Sequence, residues 1–114
     1  MSKVSCIVLA AGAGRRMGHD ENKIFIKLGN KSIIQWTLSN IEQVKTVSEV
    51  ILVVADGEAD YMEHHIASLG LSKSIKIITG GKERQDSVYA GLQAVSSDMD
   101  IVLVHDGARP LAKP

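Results

Sequence analysis

One cysteine, Cys6, is all that this chain of 114 residues offers to thiol chemistry, so no disulfide can close within it. It lies inside the apolar run Val4 to Leu9, where a small buried hydrophobe is the expected role rather than a nucleophile. Net charge is lacking too: thirteen basic and thirteen acidic residues cancel, so no global field draws the chain to nucleic acid or a membrane surface, and any anion site must be local. No apolar run approaches the ~20 residues of a membrane span. A charged start followed by an apolar stretch and a small-residue cleavage site is missing as well, and the expected location is the cytoplasm. His19, His64, His65 and His105 lack the cysteine or acidic partners of a zinc site and are read as structural or solvated. Repeats, low-complexity tracts and linkers are absent, and the length fits one domain.

What the chain does have is alternation. Apolar runs rich in Ile and Val predict strands over Val4 to Leu9, Val50 to Ala55, Ile75 to Thr79 and Ile101 to His105, each continuous enough to be covered on both faces. Apolar residues recurring at three and four predict helices over Ser32 to Gln43, Ala59 to Leu69 and Asp86 to Val95. In the first helix Ile33, Trp36, Thr37 and Leu38 are read as packing residues. The pattern is that of an α/β fold, doubly wound about a mostly parallel sheet with Rossmann-like nucleotide-binding topology. If the fourth strand lies beside the first, with the second and third on the other side, a crevice opens at the carboxyl ends where the order reverses. The loops Ala10 to Lys23 and Asp106 to Pro110 would then meet.

The first of these loops begins Leu9-Ala10-Ala11-Gly12-Ala13-Gly14-Arg15-Arg16-Met17-Gly18, with Lys23 following. Gly12 and Gly14 let the backbone turn N–H groups toward an anion, and Arg15, Arg16 and Lys23 add positive charge. Such a loop suits a nucleoside triphosphate. It is not a dinucleotide fingerprint, because Met17 occupies the third glycine position and Asp56 lies too far on to hold a ribose. It is not a P-loop either, since no Gly-Lys-Ser or Gly-Lys-Thr occurs. A plain glycine-rich turn between strand and helix remains the alternative.

Gly80-Gly81-Lys82-Glu83-Arg84-Gln85-Asp86-Ser87-Val88 follows the third predicted strand. Its glycines can bring backbone against a flat ligand, with Arg84 and Ser87 as donors; equally, Asp86 or Ser87 could simply cap a helix. His105-Asp106-Gly107-Ala108-Arg109-Pro110 ends the fourth strand in a carboxylate, well sited for magnesium, which takes oxygen ligands alongside substrate phosphates. The competing reading pairs Asp106 with Arg109. Asp98-Met99-Asp100 has the Asp-x-Asp form of a metal motif but precedes the fourth strand, so it is expected at the opposite, amino end of the sheet, in a turn.

In this order, Ala-Ala-Gly-Ala-Gly-Arg-Arg-Met-Gly, Gly-Gly-Lys-Glu-Arg-Gln-Asp-Ser-Val and His-Asp-Gly-Ala-Arg-Pro resemble the 2-C-methyl-D-erythritol 4-phosphate cytidylyltransferases, nucleotidyltransferases of the non-mevalonate isoprenoid pathway. The resemblance runs through the whole chain. It implies transfer of CMP from CTP to methylerythritol phosphate, with magnesium assisting and pyrophosphate leaving. It makes Arg16 and Lys23 the transition-state stabilisers. The backbone of Leu9, Ala10, Ala11, Gly12 and Gly14 would cradle the nucleotide; Gly81, Lys82, Arg84 and Ser87 would surround the cytosine; the backbone near Gly107 would meet the ribose; and Asp106 would hold Mg2+. Asn22 stands where the family usually has proline. The family's catalytic domain is about twice as long, so the chain is expected to be its nucleotide-binding, amino-terminal portion, truncated before the dimer arm and the residues for the alcohol phosphate. The full-length parent would be a homodimer. A ribitol-5-phosphate cytidylyltransferase, or a non-catalytic nucleotide-binding fragment, are the competing functions.

Overall fold

A four-stranded parallel sheet carries the molecule, here seen in a computed structural model that describes residues 3–11 and 23–106. Strand β1 (Val4–Ala10) runs to the glycine-rich loop. A single turn of 3-10 helix (Lys23–Phe25) leads into a hairpin, β2 (Lys27–Leu28) and β3 (Lys31–Ser32), and then to α1 (Ile33–Glu42). There follow β4 (Val47–Val54), α2 (Ala59–Ala67), β5 (Ser74–Thr79), α3 (Arg84–Ala94) and β6 (Ile101–Asp106). The sheet order is β5-β4-β1-β6, so the expected reversal lies between β1 and β6.

The alternation along β1 explains why helices cover both sides. Val4, Cys6, Val8 and Ala10 join Val50, Leu52 and Val54 of β4 in a core completed by Ile34, Leu38 and Ile41 of α1 and by Met62 and Ile66 of α2. Ile7 points the other way and meets Ile51 and Val53 beneath α3, with Leu9, Ile78 and Ala94 around them. Cys6 is buried, and burial pushes its thiol up to about 11, the condition of an inert packing residue.

The helix ends are set locally. Ser32 caps α1, accepting from the Gln35 amide at 3.3 Å while its own amide donates to the Gln35 side chain at 2.8 Å. α3 begins at Arg84, two residues before the predicted start, because Glu83 takes the cap position and its amide donates to Asp86 Oδ2 at 3.2 Å.

Two expectations need correction, and one element is new. The hairpin β2–β3 was not anticipated; Gly29 supplies the positive φ (76°) at the first position of its two-residue turn. α3 does not lay a large apolar stripe on the sheet: its buried residues are Ser87 and Gly91, whereas Tyr89 and Leu92 are exposed. Small residues are there because the helix sits close, a Cβ on Gly91 falling 2.7 Å from Ile7 Cγ2. Finally, β6 is not covered on both faces; Ile101, Val102, Leu103 and Val104 all remain exposed.

Candidate functional site

Four parallel strands deliver their carboxyl ends to one edge of the sheet. Leu9 of β1 is in register with Asp106 of β6, and on the other side Ala10 is in register with Val54, which in turn pairs with Thr79. Neighbouring strands lie about 4.8 Å apart, so the backbone entering the glycine-rich loop and the Asp106 carboxylate leave the sheet as immediate neighbours. The expected neighbourhood of β1 and β6 at the point of order reversal is therefore present, while most of the two loops that follow them, 12–22 and 107–110, lies outside the described residues. Asp98 and Asp100 sit at the opposite edge, as the sequence suggested: Lys3 Nζ bonds Asp98 at 2.9 Å and the Lys3 amide bonds Asp100 at 2.8 Å, tying the starts of β1 and β6 together.

The second constellation reaches the same edge from β5. The Gly80 amide donates to the Val54 carbonyl at 2.9 Å, and α3 then runs back along the sheet with its amino end at the carboxyl edge. The amino end of α3 is satisfied internally: the Asp86 and Ser87 amides donate to the Glu83 carbonyl at 3.1 and 3.2 Å, and the Glu83 amide donates to Asp86 Oδ2. Gly81, Lys82 and Arg84 are exposed. Ser87 is buried instead, only 4% exposed, and lies against Gly80: a Cβ added there would come 2.3 Å from Ser87 Oγ and 2.7 Å from Val53 Cγ1. Likewise a Cβ on Gly81 would fall 2.3 Å from Asp86 Cβ. The glycine pair is thus demanded by the packing of its own loop onto α3, before any ligand is considered.

Of the sequence-derived site residues, Leu9, Ala10, Ala11 and Asp106 are brought together, and Gly81, Lys82 and Arg84 stand two strands from β1 on the same edge. Gly12, Gly14, Arg16 and Gly107 lie outside the described residues, as does the side chain of Lys23. The backbone of Lys23 opens the 3-10 turn.

Sequence reasoning missed what surrounds that turn. Ile24 is buried in the main core, Phe25 packs edge-on against Tyr61 and His65 of α2, and the Ile26 carbonyl accepts from the Ile33 amide at 3.0 Å. His65 Nε2 lies 2.7 Å from the Ser32 hydroxyl, and burial, helped by the charge of Lys27, lowers its pKa, which favours the neutral ring. The Trp36 indole donates to the Leu28 carbonyl at 2.8 Å, with Lys31 Nζ 4.7 Å above the ring, so Trp36 pins the hairpin. The only available signal was the scarcity of aromatic residues, one Phe, one Trp and two Tyr in the whole chain.

Comparison with known proteins accords with this geometry. The family profile described as 2-C-methyl-D-erythritol 4-phosphate cytidylyltransferase matches residues 4–114. A protein of that name from Alkaliphilus oremlandii is 48% identical over 112 residues, covering 97% of this chain and 48% of the relative. One from Clostridium perfringens is 49% identical over 109 residues, covering 96% and 48%. The crystal structure of 4-diphosphocytidyl-2C-methyl-D-erythritol synthase from Anaerococcus prevotii superposes with a TM-score of 0.82 at 28% identity, over 98% of this chain and 46% of that one. The chain therefore spans about half the length of the relatives it matches.

Proposed function

Because the chain belongs to the 2-C-methyl-D-erythritol 4-phosphate cytidylyltransferase family, we propose that it forms the nucleotide-binding portion of an enzyme that transfers CMP from CTP to 2-C-methyl-D-erythritol 4-phosphate. In that reaction a phosphate oxygen of the alcohol phosphate attacks the α-phosphorus of CTP, and the bond to pyrophosphate breaks. The observation that supports the reading is the register of Leu9 with Asp106 at the order reversal, which sets the end of the strand leading into the glycine-rich segment beside a carboxylate.

The residues have separable tasks. Backbone of Leu9, Ala10, Ala11, Gly12 and Gly14 holds the triphosphate, while Arg16 and Lys23 offset the charge that grows on the α-phosphate and the leaving pyrophosphate. Gly81, Lys82 and Arg84, at the amino end of α3, surround the cytosine, and Gly107 meets the ribose. Ser87, being buried, serves the base through the Gly80–Gly81 backbone it packs against. Asp106, an exposed carboxylate at the carboxyl end of β6, is of the type that would hold Mg2+, magnesium commonly using one or two carboxylates plus phosphates. When bound, the ion would neutralise phosphate charge. A homodimeric, cytoplasmic enzyme completes the proposal; no helix among the described residues is long and apolar enough to cross a membrane.

The test is pyrophosphate release by the complete gene product with CTP and either methylerythritol phosphate or ribitol 5-phosphate. Turnover of the first is expected, and turnover of ribitol 5-phosphate alone would overturn the assignment. Lys23→Ala should lower kcat by about 100-fold or more with a much smaller change in KM for CTP, as for a charge that acts mainly in the transition state.

A further inference from the structure

Three of the four aromatic residues in the chain hold one short segment. Phe25 meets Tyr61 with ring centroids 4.8 Å apart at 84°, and His65 at 5.1 Å and 86°, while Tyr61 and His65 stack on each other at 5.5 Å. Trp36 holds the hairpin that follows. Burial alone does not account for the arrangement, because Tyr61 is 57% exposed. An edge-to-face contact is directional, so what the cluster supplies is orientation.

His65 joins the cluster to the start of α1. Its ring contacts the Ser32 hydroxyl that caps α1, and its backbone carbonyl accepts from Gln35 Nε2 at 2.9 Å. Ser32 is fully buried, so this link is held rigidly. The turn Lys23–Phe25 is consequently fixed at three successive points: Ile24 in the core, Phe25 between two rings, and the Ile26 carbonyl on Ile33. All three lie directly after Lys23. In one turn of 3-10 helix the backbone of the first residue cannot rotate independently of the third.

We propose that Phe25, clamped by Tyr61 and His65 of α2, is a positioning residue for catalysis that fixes the backbone of the turn opening at Lys23. This rests on the reading of Lys23 as the charge that stabilises the transition state. Misplacement of such a group by a fraction of an ångström is felt in kcat more than in ground-state affinity.

The experiment is a double-mutant cycle in the complete gene product, with thermal melts to confirm folding. Phe25→Leu should lower kcat about tenfold, and Tyr61→Leu, at an exposed position that leaves the core intact, about threefold, with KM for CTP changed less than about twofold in each. Phe25→Tyr should restore most of the rate. Combined with Lys23→Ala, Phe25→Leu should add almost no further loss, because it acts through Lys23. Additive losses, or an unchanged kcat in a folded Tyr61→Leu enzyme, would overturn the inference while leaving Lys23 as a catalytic group. An unchanged kcat in Lys23→Ala would instead remove the reading of the site, and the clamp's role with it.

Discussion

Glu49 is a buried carboxylate, only 3% exposed, at the amino half of β4, far along the strand from the carboxyl edge of the sheet. Burial alone would raise its pKa. Hydrogen bonds from the Ser96 hydroxyl (2.5 Å) and amide (3.2 Å), together with Lys76 Nζ at 3.1 Å, outweigh that effect and hold the carboxyl at about 2. The unfolded chain binds a proton here near the usual 4.5, so between those values the folded protein carries fewer protons than the unfolded one. The stabilisation is complete above the higher value and is lost as pH falls toward the lower. Glu49→Gln should therefore cost about 1–3 kcal/mol at neutral pH. Urea titrations at pH 7 and pH 3 should show the gap between wild type and variant narrowing in acid; an equal gap at both would mean that charge is not what Glu49 contributes. Nothing in the local sequence points to this residue, since its partner Ser96 is 47 positions away, in the connection after α3, and only the return of α3 along the sheet brings the two together.

At the scale of elements, legibility followed length and period. The four strands were readable because each is dominated by Ile and Val, and α1 because Ser32 and Gln43, the ends predicted for it, are its caps. The hairpin β2–β3 was not, since two-residue strands have no period, although Gly29-Asn30 is a usable turn signal. The carboxyl edge of the sheet was half legible: Asp106 and the start of the glycine loop could be placed from strand order, but the Phe25 contacts depend on tertiary packing that no local spacing encodes. α3 was misjudged because its sheet-facing residues, Ser87 and Gly91, are small rather than apolar. Its packing makes a sign prediction. Gly91→Ala gains about 1 kcal/mol of helix propensity. The new methyl, however, falls 2.7 Å from a methyl of Ile7, which is fully buried and stiff at χ1. Overpacking of this kind costs about 1–3 kcal/mol, so the variant should be net destabilised and melt earlier. A higher melting temperature would show that α3 can lift from the sheet.

At the scale of the whole molecule the two edges of the sheet are unequal. β5 carries Lys76 within the strand and follows Lys73, whose ammonium donates to the Val44 and Val47 carbonyls, and lysines of this kind discourage edge-to-edge pairing. β6 pairs with β1 on one side and with no other described strand on the other. Its residues from Ile101 to Val104 are 37–49% exposed, against 2% or less from Val50 to Val54 in β4. An open strand of this composition is a template for another chain. A polypeptide of these 114 residues alone is therefore expected to self-associate as its concentration rises toward about 100 μM. Val102→Lys combined with Val104→Lys, which places two charges on one face of β6 without touching the β1 core, should shift that association at least about tenfold toward monomer. Sedimentation velocity over a concentration series measures both. Monomeric behaviour of the unmodified chain throughout the series would mean that the exposed face of β6 is not an adhesive surface.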